Sequence, residues 1–373
     1  MGLFNFLKKI KAEIPTVTTS FTVKELSSNS HYNDDIIPLK QRLNKAFKSS
    51  NGLYPHEILM LSYATSFKER DNIFQSFWKW NYSVLDPQAV LNSLFQRGFI
   101  NRSDIKTTLC KLRACDLKEL LAEKNLKVSG KKMELVERVL SNFDSEELEK
   151  CFTNRYFTLT ALGENELKNN QYVIYLHRNK YMSVWEMNSL LNINNPNHLG
   201  YRDILWGEFN RLSIEHFKKF NFGLYRGVKF QMYLFLCEEK RYNLAMQRLI
   251  EVISFDLGGL SNNFDLSFLN KDIPIKTRCE NRLLGFYTDN NNQIVLAPGI
   301  ISNFKKLREN IALGNEEFID YTYKEFSKID VPYRVFSPAE CANIVLSDIG
   351  LEQPVIENRY AVAAYRIQKS LRQ

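Results

Sequence analysis

Between Leu112 and Leu140 the chain reads LRACDLKELLAEKNLKVSGKKMELVERVL, and this run constrains the fold more than any other. Leu117, Leu120 and Leu121 recur at the i, i+3, i+4 spacing of one helix face. Leu135, Val136, Val139 and Leu140 repeat that spacing in a second helix. Asn125 to Gly130 forms the connection, with Leu126 and Val128 as apolar plugs beneath it. Its tip is Ser129-Gly130-Lys131-Lys132. Ser129 is expected to cap the second helix, and Gly130 lets a backbone approach a ligand with no Cβ in the way. Lys131 and Lys132 then stand at the positive end of the helix macrodipole, where free N–H groups point outward. The spacing predicts a phosphate-binding tip built from Lys127, Ser129, Gly130, Lys131, Lys132 and Arg138. The competing reading is a plain helical hairpin whose lysines form a solvated face.

The same run resembles the SAP motif, a helix–extended loop–helix module of DNA-binding proteins. Leu112, Asp116, Leu117, Lys118, Glu119, Leu126, Val128, Ser129, Gly130, Lys132, Leu135, Glu137 and Arg138 carry the resemblance. It implies that this module binds double-stranded DNA. A similar two-helix shape serves protein partners in the LEM modules and RNA in the N-terminal part of the Rho terminator, so the shape alone leaves the partner open.

A chain of 373 residues with 44% hydrophobic and 13% aromatic content is long enough for two or three domains with real cores. The formal net charge of +8 favours a polyanionic partner. Cys110, Cys115, Cys151, Cys237, Cys279 and Cys341 form no CxxC pair and have no histidine pair at zinc spacing. They read as reduced core cysteines of a cytoplasmic protein. The asparagine- and lysine-rich composition suits an AT-rich bacterium or its phage. No apolar run is long enough for a transmembrane helix.

Residues 1–50 are read as an N-terminal amphipathic segment and a linker. In Met1–Ile14, apolar Leu3, Phe4, Phe6, Leu7 and Ile10 interleave with Lys8, Lys9 and Lys11. The segment could lie on a membrane or dock on a protein surface, and membrane contact is not the expectation. Gly2 does not complete an acylation signal, because Phe6 stands where Ser or Thr is required.

From Leu53 ordered structure is expected, with a helix opened by Pro55 and burying Ile58, Leu59, Leu61 and Ala64. The aromatic segment Phe74–Tyr82 is open between helix and strand. Asp86-Pro87 then gives an N-cap followed by proline at the first helical position. Val90, Leu91, Leu94 and Phe95 form the apolar face of that helix, leaving Gln88, Asn92, Ser93, Gln96 and Arg97 outside. Phe99-Ile100 and Arg155–Thr160 read as strands. The helix, the two strands and the following Leu162-Gly163-Glu164 together resemble the second half of a winged helix–turn–helix, interrupted in its wing by the SAP-like run. The resemblance implies a winged-helix-like domain in two parts, 51–104 and 144–180, carrying an inserted module at 105–143. Gln88, Asn92, Gln96 and Arg97 would address base edges, and Arg155 would add a contact from the second strand. A docking platform with a solvated polar helix is the alternative.

Residues 181–373 are read as a helical C-terminal domain that docks a protein partner. Helices are expected at Met182–Leu191, Tyr201–Phe220, Leu224–Glu238, Tyr242–Asp256, Gly299–Leu313, Glu316–Ser327 and Arg359–Leu371, with one more from Ser337. Arg278–Tyr287 and Gln293–Leu296 are strand-like. The fold class is therefore mainly α with minor β. No P-loop, G-x-G-x-x-G, H-E-x-x-H or G-x-S-x-G is present, so no catalytic residue, metal site or cofactor is assigned. Scattered acids such as Asp203, Glu208, Asp256 and Glu280 could still hide a nuclease or recombination centre. The leading expectation is a non-enzymatic protein anchored on duplex DNA. A protein-binding adaptor is the alternative from another class.

Overall fold

The structure, a computed structural model, describes residues 37–258, 260, 286–288, 294–296 and 298–351 except 194, 196 and 333, with scattered positions from 353 to 369. Residues 1–36 of the N-terminal segment and linker lie outside the described residues, as do Cys279, Glu280 and most of Arg278–Tyr287 and Arg359–Leu371. Residues 37–50, read as linker, hold a short helix and bond through Phe47 to Asn188. The chain divides into two compact units, residues 1–198 and 199–373. The described residues are mainly helical, with small two-stranded sheets.

In the first unit a short helix α1 (Leu39–Leu43) is followed by α2 (Pro55–Tyr63), α3 (Phe77–Tyr82) and α4 (Pro87–Gln96). Proline at its first position and the Glu57 carboxylate, which accepts the Tyr54 N–H at 2.8 Å, start α2. Ile58, Leu59, Met60 and Leu61 are all buried, so α2 is covered on every side. The ambiguous aromatic segment ends as helix α3, which buries Trp78 and exposes Trp80. The Asp86 carboxylate accepts the Ala89 N–H at 3.0 Å and starts α4, whose buried residues are Leu91 and Leu94. Phe95, expected in the core, is 43% exposed and rests its ring beside Phe157.

Strand β1 (Ile100–Arg102) pairs antiparallel with β2 (Phe157–Leu159), Ile100 opposite Leu159 and Arg102 opposite Phe157. A single bridge between Lys68 and Tyr156 adds a third segment beside them. After β2, the Thr160 hydroxyl accepts the Gly163 N–H at 3.2 Å and opens α9 (Ala161–Asn169). A Cβ at Gly163 would lie 2.2 Å from the Phe99 carbonyl oxygen, so only glycine lets α9 pass this close to the start of β1. α10 (Gln171–Asn179) and α11 (Val184–Ile193) then pack on α2. Placing the C-terminal domain from residue 181 put α11 in the other half. Met187 and Asn188 are buried within the first unit, and Asn188 exchanges hydrogen bonds with the Phe47 backbone at 2.7 and 3.1 Å.

Between the paired strands lie α5 (Ile105–Lys111), α6 (Ala114–Glu123), α7 (Lys132–Asn142) and α8 (Ser145–Cys151). They share a core of Leu109, Leu117, Leu120, Leu121, Leu135, Val136, Val139, Phe143, Leu148 and Phe152. The inserted body thus runs from 105 to 152, larger than the two-helix unit expected over 105–143. Its chain crossings meet where the Ser103 N–H donates to the Tyr156 carbonyl at 2.8 Å. Replacing residues 104–155 with Asn-Gly should close a two-residue hairpin between β1 and β2 and leave the host folded. A cooperative thermal melt of that variant, followed by tryptophan emission, is the expected result. A non-cooperative melt would show that the host depends on the insert.

In the second unit, α12 (Tyr201–Lys218), α13 (Phe222–Glu238) and α14 (Tyr242–Leu257) pack each against the next. Met232, Phe235 and Leu236 of α13 and Ala245, Leu249 and Val252 of α14 are buried, as their spacing requires. The unit also contains the antiparallel strand pair β3 (Phe286–Thr288) and β4 (Ile294–Leu296), followed by α15 (Pro298–Asn310), α16 (Asn315–Lys328) and α17 (Pro338–Asp348). α17 starts with Ser337 accepting the Glu340 N–H at 3.3 Å while Glu340 accepts the Ser337 N–H at 2.8 Å, the reciprocal cap expected from Ser-Pro-Ala-Glu. α14 packs against α15, α16 and α17 and is the core of this unit.

Candidate nucleic-acid interface

The tip of the inserted body is set by its backbone. Gly130 has φ of 134°, a region that side-chain-bearing residues rarely enter, and a Cβ there would meet the Glu134 carboxylate at 2.5 Å. The N-cap of α7 is Lys131, two residues beyond the expected Ser129. The sharp turn at Gly130 delays helix entry, so the Lys131 N–H bonds Glu134 Oε2 at 3.2 Å and the Ser129 hydroxyl is left outside. Arg138 reaches back along the loop and donates to the carbonyls of Lys127 at 2.6 Å and Ser129 at 3.0 Å. It shapes the loop that presents the lysines. Lys127, Ser129, Gly130, Lys131 and Lys132 are all exposed.

Charge is segregated within the body. Lys106 pairs with Glu137 at 2.6 Å, Arg113 with Asp116 at 2.8 Å and Lys124 with Glu147 at 2.7 Å. Burial raises the Asp116 carboxyl, but the hydrogen bonds from the Arg113 side chain and backbone outweigh it and hold the group below its ordinary value. Lys127, Lys131 and Lys132 have no carboxylate partner in an ion pair among the described residues. Away from the tip, Lys106, Arg113, Lys124 and Lys150 are paired with acids, while Lys111 and Lys118 have no carboxylate partner among the described residues.

The other expected contact residues divide. Asn92 and Gln96 are exposed on α4. Gln88 is engaged at home: its amide nitrogen donates to the Glu69 carbonyl at 2.9 Å, and its oxygen accepts from Asn72 at 2.9 Å. Arg97 is held by Glu57 at 2.7 Å and by the Gly52 carbonyl at 2.9 Å, where it closes the end of α4 against the start of α2. Arg155 is only 7% exposed, which corrects its place among the surface contacts. It donates to the Phe152 carbonyl at 3.1 Å and the Ser103 carbonyl at 3.3 Å and pairs with Glu149, clamping the neck of the inserted body. Its place in an alternating strand pattern gave no sign of this, because the acceptors come from turns that pattern does not locate. Two more neck contacts were invisible in the sequence: Lys111 donates to the Thr65 carbonyl, and its ammonium lies 4.6 Å from the Tyr156 ring centre.

Of the scattered acids, Asp256 is locked in a two-pronged pair with Arg226 at 2.9 and 2.7 Å, and Glu208 binds Arg211 at 2.6 Å. Asp203 lies in the first turn of α12. No group of three or more His, Cys, Asp or Glu able to hold a metal occurs among the described residues. Of the described cysteines only Cys341 is buried; Cys115 stands at the surface of α6 rather than in a core. No helix among the described residues is long and apolar enough to cross a membrane. Comparison of the chain with curated proteins and with solved structures returns no match. Residues 111–144 match the family model of the SAP domain, so this part of the chain is a SAP domain, which suggests binding to DNA or RNA.

Proposed function

We propose that the protein anchors on duplex DNA through the tip of its SAP domain and docks a protein partner through residues 199–373. The observation that carries the reading is the exposed set Lys127, Lys131 and Lys132, without carboxylate partners among the described residues and clustered at one loop, whereas Lys106, Arg113, Lys124 and Lys150 of the same body are paired with acids. Phosphate oxygens satisfy lysines that have no carboxylate, and release of condensed counterions supplies the driving force. The host supports a winged-helix-like reading: α4 precedes the β1–β2 pair, and the Lys68–Tyr156 bridge supplies a third wing segment. Asn92, whose Oδ1 accepts from Gln88 at 3.1 Å, and Gln96 are its exposed base-reading candidates, since Gln88 is held by the Glu69 carbonyl and Arg97 by Glu57. In the second unit Ile214, Phe217, Phe220 and Leu224 expose apolar surface around the α12–α13 turn, which suits a protein contact.

Mobility-shift titrations with duplex DNA, single-stranded DNA and RNA at two salt concentrations test the reading. Duplex should bind tightest and lose most affinity with salt, and fragment 199–373 should bind none of the three. A second reading, docking of the tip on a protein, draws on Val128 and Met133, which are 40% and 50% exposed beside the lysines. Binding of no nucleic acid in those titrations would move that reading to the front.

A further inference from the structure

Two cavities of about 300 and 360 Å³ adjoin in the first unit, sharing Arg42, Ser183 and Trp185 as common walls. Both fall in the size range of small-molecule sites. Arg42 is half-buried and lies 5.7 Å from the centre of the Trp185 ring. Its Nε donates to the Ser83 hydroxyl at 3.0 Å, and that hydroxyl donates onward to the Ile37 carbonyl at 2.6 Å, so the guanidinium is fixed in place. Its two terminal nitrogens have no carboxylate among the described residues, and burial pulls its pKa down. Lys180 lines the larger cavity and Lys45 the smaller, and neither forms an ion pair among the described residues. Glu186 is the one carboxylate among the described lining residues, and it lines only the smaller cavity.

Aromatic walls accompany these cations. Trp80, 52% exposed and with the Lys79 ammonium 4.9 Å from the centre of its ring, lines the larger cavity together with Tyr82. The Tyr82 hydroxyl is bonded to His177 Nδ1 at 2.9 Å, which holds the phenol in position. A fixed guanidinium whose terminal nitrogens meet no carboxylate among the described residues matches a phosphate, and a half-exposed indole lining the same cavity matches a planar base. We propose that the larger cavity binds a nucleotide, its phosphate between Arg42 and Lys180 and its base against Trp80. This site is separate from the SAP tip and does not rest on duplex binding there.

Calorimetric titration of the full chain with adenosine monophosphate, adenosine, inorganic phosphate, phosphotyrosine and a 5′-phosphorylated hexanucleotide tests the proposal. The mononucleotide should bind saturably, and adenosine or phosphate alone at least tenfold more weakly. Arg42→Gln and Lys180→Asn should each weaken mononucleotide binding at least tenfold, as should Trp80→Ala, which removes an exposed ring and leaves the fold intact. Lys131→Ala/Lys132→Ala should bind the mononucleotide as the parent does, which separates this site from the tip. Tighter binding of the hexanucleotide assigns the cavity to strand ends, and equal binding to free nucleotides; both support the site. Binding of phosphotyrosine as tightly as the mononucleotide, no saturable mononucleotide binding, or binding unchanged by Trp80→Ala and Lys180→Asn would overturn it.

Discussion

Leu121→Asp is expected to unfold the 105–152 body and abolish nucleic-acid binding while the rest of the chain stays folded. Leu121 is fully buried between α6 and α7, with Leu117, Leu120, Leu135 and Val136 in the same core. A carboxylate there has no cation to meet it, and burying an uncompensated charge costs more than about 4 kcal/mol. A core this small has little stability to spare. The four tryptophans, Trp78, Trp80, Trp185 and Trp206, all lie outside the body, so their emission should be unchanged while far-ultraviolet circular dichroism loses helix signal. An undiminished helix signal would show that the four helices do not share the core described. A shifted emission would show that the host unfolds with them.

Arg155→Ala is expected to destabilise the neck by about 3 kcal/mol, because it strands two carbonyls at about 1–3 kcal/mol each. The guanidinium spans the Phe152 and Ser103 carbonyls, and no neighbouring donor replaces it. Glu149 is half-exposed and rehydrates, so its loss adds little. Arg155→Lys should recover only part of the loss, since an ammonium cannot reproduce the planar fork. Thermal denaturation measures the loss, and hydrogen exchange at the Ser103 and Thr108 amides localises it. A change below about 0.5 kcal/mol accompanied by weaker DNA binding would return Arg155 to the surface contacts.

Much of the fold was readable wherever one local rule dominated. Asp86-Pro87 started a helix, Leu117 and Leu121 faced a core, and residues flanking the insertion paired as strands. The helices flanking the SAP pair were not readable. α5 buries only Thr108 and Leu109, and α8 only Leu148. With so few buried positions no helical period can show, and packing on the SAP helices holds both in place. The exposure of the tip lysines was legible because a run of charge in a loop is a local property. The roles of Arg97, Arg138 and Arg155 were not, since each binds backbone carbonyls remote in sequence. Sequence gives the donor and hides the acceptor.

If the tip lysines hold phosphate, the salt dependence of duplex binding must change when they are removed. Lys131→Ala/Lys132→Ala keeps the Lys131-position N–H that Glu134 accepts and leaves Leu135 and Val136 buried, so folding should be unaffected. Each lost phosphate contact should flatten the slope of log K against log salt by about 0.9. Phosphate contacts carry no base information, so affinity should fall almost equally for all duplex sequences. The double variant should be folded, with lower affinity and a slope shallower by up to about 1.8. A folded variant with unchanged affinity and unchanged slope would contradict it.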